Sequence, residues 1–541
     1  MPLSKQSGIL SPARPLPLWL LFPPIFVFVY LTHYLLLRLP YFWDEAGYYI
    51  PAAYDFYRTG TLIPHSTLSN AHPPLPSILL AAWWHLSGFV PSGTRAAICI
   101  VAACALLAVY RIARPLCGEL GAATVTLLTA LYPIWYAQST LAHADIFAAA
   151  FTLWAFDLCL SRPTESSNAA ARQPLFVALL FTLAALSKET AIVQPAALAA
   201  LELALLLRAW RTPALRRVHA KWLAALSFPL LPLVAWYAYH HHATGFTFGN
   251  PEYLRYNATA NLNAAHILLT LRYRFQHLFW QRNIWLPLAM ALACLLTRPR
   301  TNRPNQPLSP SVLRTIAVLV LANWIAFSIL GGAPLTRYLL PIYPLLLLVC
   351  VAVWRTRTRR WPLLAALTAA AFLSALWLNP PTSFAPEDAL TYRDMIVVHQ
   401  DAIAYLNQNY PSATVLTAWP VSTDLFCPEL GYTEHSFKVF PVEDFYTADI
   451  QKAAQHPADF DTALVFTTHF IAPSLRRYLL AHPHSRRGAE FAHERILTPN
   501  EIASLLGGNI VWQEDRNGEW AAIIRFPQVH RGNDAAISAN N

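Results

Sequence analysis

Long apolar runs separated by short polar loops fill the first 378 of the 541 residues. A bilayer span takes about 20 mostly apolar residues, somewhat fewer in a crowded bundle. Eleven runs qualify: Pro15–Leu37, Ala96–Tyr110, Gly121–Tyr136, Ile146–Leu160, Pro174–Leu186, Ala191–Leu207, Trp222–Tyr239, Ile284–Leu296, Val312–Leu330, Tyr338–Trp354 and Trp361–Leu378. A further stretch, Leu75–Phe89, is short and carries Trp83, Trp84 and His85 together, so it reads as a helix lying in the outer headgroup region. The pattern changes at Asn379-Pro380-Pro381. Beyond it, helix-like stretches (Asp388–Gln408, Ser474–Ala481, Pro499–Leu506) alternate with strand-like ones (Ala413–Ala418, Thr462–Thr467, Asn509–Gln513, Trp520–Phe526). The pattern predicts a polytopic α-helical membrane bundle of about 11 spans over residues 1–378, with an outer loop and juxtamembrane helices at 39–92. A soluble α/β domain follows over 379–541, long enough to hold a core.

Charge orients this bundle. The net charge is +10, which by itself suggests an acidic or nucleic-acid partner. With the N-terminus inside, however, nineteen Lys and Arg fall on inner segments, from Lys5 and Arg14 through Arg355–Arg360, against nine on the outer segments of the bundle. That is a positive-inside signal, not a nucleic-acid footprint. Pro15–Leu37 is longer than a signal-peptide core and lacks a small-residue cleavage site, so it reads as a retained signal anchor. The expected placement is a bacterial inner membrane, with a cytoplasmic N-terminus and a periplasmic tail. Of seven cysteines only Cys427 lies in the tail, so the tail has no internal disulfide, and no zinc-type spacing occurs.

With this orientation, the polar residues at the outer span ends converge on one face. Asp44 and Glu45 follow the first span among Tyr48, Tyr49 and other aromatics, and His72 closes the same loop in NAHPPL. Gln138, His143 and Asp145 lie between the third and fourth spans in QSTLAHAD. Lys188 and Glu189 sit in the turn SKETA, and Arg337 and Tyr338 open the tenth span in TRYLLPIYP. Acids at a bilayer edge are costly unless paired, solvated or in use. Each position also has a plainer reading. Glu45 suits a structural ion pair, Asp145 a helix cap, and Lys188-Glu189 an interfacial pair. Arg337 suits a snorkelling side chain, and His72-Pro73-Pro74 a loop terminator. His240–His242 are three consecutive histidines that do not share a helix face, so no metal is expected.

The segments WDEAGYY, NAHPPL, STLAHAD, SKETA and RYLLPIYP resemble the C-type glycosyltransferase (GT-C) fold. They are most similar to the protein O-mannosyltransferases and the bacterial aminoarabinose transferases of lipid A. The likeness covers roughly residues 15–355. Where the aminoarabinose transferases have a lysine, this chain has His72. The resemblance implies an inverting transfer of a sugar from a polyprenyl-phosphate carrier to a lipid, glycan or protein acceptor on the outer face, with no cofactor required. Asp44 would be the general base, with Glu45 and Asp145 beside it. His72, Lys188, Arg337 and Tyr338 would receive the phosphate. Tyr48, Tyr49, Gln138, His143 and Glu189 would line the substrate site. The rival expectation is a transporter or flippase, which would place ionisable groups near the midplane within repeated, broken helices.

Overall fold

The computed structural model describes residues 17–162, 168–249, 264–298, 308–329, 335–485 and 495–527, with residues 251 and 488. The inner-loop residues Lys5, Arg14, Glu165, Arg300 and Arg303, the outer-loop Arg255, and the ends of the first and ninth expected spans (Pro15, Leu330) lie outside the described residues.

The first part is a helical bundle. Among the described residues, four helical stretches are long and apolar enough to cross a bilayer: Pro91–Leu131, Glu189–Arg208, Pro213–Thr244 and Pro310–Ile329. Shorter apolar helices at Trp19–Thr32, Arg172–Ser187, Trp285–Leu295 and Trp361–Ala375 accompany them. Several expected spans change shape. Ala96–Tyr110 and most of Gly121–Tyr136 belong to the 41-residue Pro91–Leu131, which breaks at Gly118 with φ 67°. The break is packed from outside. A Cβ on Gly121 would lie 2.3 Å from Arg355 Nη1, so glycine is needed for the guanidinium to seat there. The end of the expected third span separates into a short helix of its own, Pro133–Gln138, after the chain leaves helical geometry at Tyr132.

Trp222–Tyr239 falls across two helices, Pro213–Ser227 and Leu230–Thr244, parted at Phe228-Pro229 because proline cannot continue the hydrogen-bond ladder. Tyr338–Trp354 opens as a 3₁₀ turn, Thr336–Leu339, before the helix Tyr343–Arg357. One helix, Ala264–Phe279, went unforeseen, because Arg272, Arg274 and His277 interrupt its apolar pattern. Leu75–Phe89 does form a helix, Leu75–Ser87, packed on the Ile50–Thr59 helix and on the start of Pro91–Leu131.

The tail carries a five-stranded sheet: β1 Thr414–Ala418, β2 Lys438–Val442, β3 Thr462–Phe466, β4 Asn509–Arg516 and β5 Glu519–Arg525. Its order is β2-β1-β3-β5-β4. β1 pairs in parallel with both β2 and β3, while β5 runs antiparallel to β3 and β4. Asn517 and Gly518, both at positive φ, close the β4–β5 hairpin, as a two-residue loop of this twist demands. β2 was not foreseen because Pro441 argues against a strand. It is an edge strand, where a missing N–H is tolerated. The helix Thr391–Asn409 packs on β4 and β5 with His399 buried beneath it, edge-on to Phe466.

Candidate active site

The first loop leaves the first helix through a constrained turn. Trp43 has φ 45°, uncommon for a bulky residue, and Glu45–Tyr49 forms a single π-helical turn. Glu45 anchors this turn from behind. Its carboxylate accepts from the backbone N–H of Phe42 (2.8 Å) and of Ala142 (2.6 Å), and pairs with Arg95 at 3.2 Å. Arg95 is fully buried and also donates to the carbonyls of Leu39, Pro40 and Thr140. Every hydrogen bond of Glu45 is therefore directed inward. With Glu45 fixed, its neighbour Asp44 projects the other way, into a cavity of about 1530 Å³.

Three carboxylates meet one guanidinium at the wall of this cavity. Arg337 binds Asp44 through Nη2 and Glu387 through Nη1 at 2.8 Å, and the Asp145 carboxylate lies 3.3 Å from its Nε as an ion-pair neighbour. The Asp145 carboxylate also lies 3.4 Å from Lys188 Nζ, which donates to the Tyr49 hydroxyl at 2.9 Å and sits over the Tyr338 ring. Burial alone would discharge these cations. The acids around Arg337, led by Asp44, and Asp145 beside Lys188 instead hold both pKa values well above the ordinary range. Glu387 goes the other way. Burial, aided by Asp388 and Asp44 and opposed by Arg337, pushes its carboxyl up to about 7.

His72 is positioned by its own loop. The Asn70 side chain accepts from the His72 N–H at 3.1 Å in an Asx turn. The ring stacks on Tyr49 and its Nδ1 lies 2.9 Å from Glu189. Glu189 itself is half-buried. Gln138 and His143 form the layer behind Arg337. They hydrogen-bond each other at 2.9 Å, and Gln138 donates to the Glu387 carbonyl at 3.4 Å. Burial and the nearby cations keep His143 neutral.

Of the residues singled out in the sequence, Asp44, Tyr48, Tyr49, His72, Lys188, Arg337 and Tyr338 line the cavity. Asp145, Gln138, His143 and Glu189 support them from behind, and Glu45 faces Arg95. His240 lies aside, held by Ser69 and the Phe246 carbonyl. Sequence reasoning missed Glu387 and Asp388, both lining residues, and Trp419 and Asp444 farther along. The available signal was the acidic pair in Pro386-Glu387-Asp388 just past the last apolar run, which is indistinguishable from an ordinary helix start.

Residues 71–236 match the family model of the dolichyl-phosphate-mannose-protein mannosyltransferases. No curated protein sequence matches the chain. Among solved structures, ArnT from Cupriavidus metallidurans bound to undecaprenyl phosphate aligns over 94% of this chain and 97% of its own, at 14% identity and a TM-score of 0.56. The same protein in the apo state aligns over 94% of this chain and 98% of its own, at 13% identity and a TM-score of 0.54. The fold is that of the C-type membrane glycosyltransferases, and the segment carrying HPPL, STLAHAD and SKETA matches their mannosyltransferase model. The chain thus shares the fold, and over residues 71–236 the sequence model, of multi-pass membrane glycosyltransferases.

Proposed function

We propose that this enzyme moves a sugar from a polyprenyl-phosphate carrier to an acceptor on the outer, periplasmic face of a bacterial inner membrane, with inversion at the anomeric carbon. The bundle of residues 1–378 carries the chemistry and residues 379–541 cover it from outside. The observation that carries the reading is the contact of Asp44 with Arg337 inside the cavity. ArnT, which shares the fold, is known with undecaprenyl phosphate bound, and a carrier of that kind suits a site built at span ends.

The acceptor oxygen attacks the anomeric carbon while the bond from that carbon to the phosphate oxygen breaks. The acceptor proton passes to Asp44. The phosphate leaves with one more negative charge than it held as a diester. Asp44 loses its charge in the same step, and both groups address Arg337. Negative charge therefore moves from one partner of the guanidinium to another, and the buried site never carries a surplus. Lys188, His72 and Tyr338 add donors on the phosphate side. Asp145 positions both cations, and Tyr48, Tyr49, Gln138, His143 and Glu189 shape the pocket. Glu45 acts at one remove, by fixing the turn that aims Asp44.

The test is sugar transfer and donor hydrolysis in reconstituted vesicles, with a panel of labelled polyprenyl-phosphate sugars, comparing wild type with Asp44→Asn. Turnover in wild type and its loss in a folded Asp44→Asn protein supports the assignment. Equal turnover in the two removes Asp44 as the base.

A further inference from the structure

The cavity does not end at the bundle. Its far wall is the carboxyl edge of the parallel strands β1, β2 and β3: Trp419 follows β1, Glu443 and Asp444 follow β2, and Thr468 and Phe470 follow β3. In open sheets with parallel strands, ligands bind outside this edge. Here that edge faces the same space as Asp44.

Two features of the wall define what it suits. The first is charge. Among the described lining residues every Lys and Arg comes from the bundle, namely Lys188, Arg272 and Arg337. The tail contributes only acids: Glu387, Asp388, Glu429, Glu443 and Asp444. Among the described lining residues the cations are therefore confined to the bundle side, beside Asp44, and the charges of the tail side are all negative. A second phosphate arriving from the tail side would face Glu429, Glu443 and Asp444 first.

The second feature is aromatic. Trp43 stands edge-on to Trp419 at 5.2 Å and to Phe470 at 5.9 Å, and Tyr48 lies 5.6 Å from Trp419. These half-buried rings adjoin the turn that carries Asp44. Beside them Asp444 is held by the Thr468 hydroxyl (2.9 Å) and the Phe445 N–H (2.7 Å), so its position is set before any ligand arrives. Flat aromatic faces beside fixed carboxylates suit a ring with an apolar C–H face and a rim of hydroxyls. Where the cavity reaches the edge strand β2 it does so at its end, Pro441 and Val442, and Pro441 has no N–H to offer an extended peptide.

Resting on the donor reading above, we infer that the carboxyl edge of β1–β3, with Trp419 and Asp444 at its centre, is the acceptor subsite and holds a neutral saccharide. The hydroxyl that attacks then belongs to a sugar ring packed against Trp43 and Trp419. A phosphorylated acceptor is disfavoured by the acids of the wall.

Saturation-transfer NMR on the full-length protein in micelles tests this, with cellotriose, chitotriose and maltotriose as neutral probes. Maltotriose 1-phosphate and a short Ser/Thr-rich peptide are the competitors, and undecaprenyl phosphate binding is measured on every sample. Binding of a neutral trisaccharide through its ring protons is expected, about tenfold weaker in Trp419→Ala. The phosphorylated sugar should bind more weakly than its parent, and Glu443→Lys, an exposed position, should narrow that gap even if Trp419→Ala fails to fold. Tighter binding of the phosphorylated sugar or the peptide overturns the inference. So does absence of all three neutral sugars from a protein that still binds undecaprenyl phosphate. A wild-type protein that does not bind undecaprenyl phosphate sinks the donor reading, and this inference with it.

Discussion

The Trp419 indole lies on the backbone of Gly47. A Cβ built on Gly47 would fall 2.4 Å from Trp419 Cζ2, closer than real side chains approach. The glycine of WDEAGYY is there to admit a ring from more than 370 positions later in the chain. Gly47→Ala should therefore push the indole out of place and tilt the turn that carries Asp44. Overpacking of this kind costs about 1–3 kcal/mol. The expected result is a modest fall in melting temperature with a larger loss of transfer, and unchanged transfer would disprove the coupling.

Arg337 serves three acids at once, so its removal differs from loss of an ordinary surface cation. Arg337→Gln strands Asp44, Asp145 and Glu387 without their shared partner. Breaking a buried pair this way costs about 3–5 kcal/mol, and the protein should unfold at markedly lower temperature. Arg337→Lys keeps the charge but not the fork, so it should fold and lose about a hundredfold in turnover. Thermal melts and kcat measured on both variants separate the two roles.

Glu387 gives the site a pH dependence with a definite sign. Its carboxyl, pushed up to about 7, titrates above its unfolded value. The folded state therefore binds more protons than the unfolded state between roughly pH 4.5 and 7. Its contribution to stability is greatest at the acid end of that window and is lost as pH rises through about 7. Protonation also loosens its hold on Arg337. Binding of a polyprenyl-phosphate sugar, whose diester does not titrate here, should tighten as pH falls through about 7. Glu387→Gln should flatten that profile and bind the donor better at pH 8. A profile identical to wild type would rule Glu387 out as its source.

Glu45 predicts a different phenotype from its neighbour. Glu45→Gln presents an NH₂ to groups that already donate, the N–H of Phe42 or Ala142 and the Arg95 guanidinium. It should destabilise the protein by about 3 kcal/mol. The surviving folded fraction should keep much of its turnover per molecule, whereas Asp44→Asn should show the reverse. Active-site titration alongside thermal unfolding distinguishes them.

How much of this was legible beforehand follows from distance along the chain. Asp44, Lys188 and Arg337 each sit at the end of an apolar run, so hydropathy and charge bias alone brought them to one face. Trp419 carried no such marker, and Glu387, though it follows the last apolar run, reads as an ordinary helix start. Their place depends on how the tail folds back, which local pattern does not encode. The Ala264–Phe279 helix escaped notice because Arg272 and Arg274 break its apolar periodicity; Arg274 is buried across Tyr338 and bonded to the Leu335 carbonyl. β2 was hidden by Pro441, whose tolerance depends on an edge position known only once the sheet is assembled.

The hold of Glu387 and Trp419 on the bundle also bears on inheritance. A chimaera that joined the first 378 residues to a tail from a distant relative would have to supply an acid opposite Arg337 and a flat ring over Gly47, both in register. Recombination at the natural-looking seam of Asn379-Pro380-Pro381 would usually supply neither. The two halves are therefore expected to change together over evolutionary time, with substitutions at positions 47 and 419, or 337 and 387, arriving as pairs.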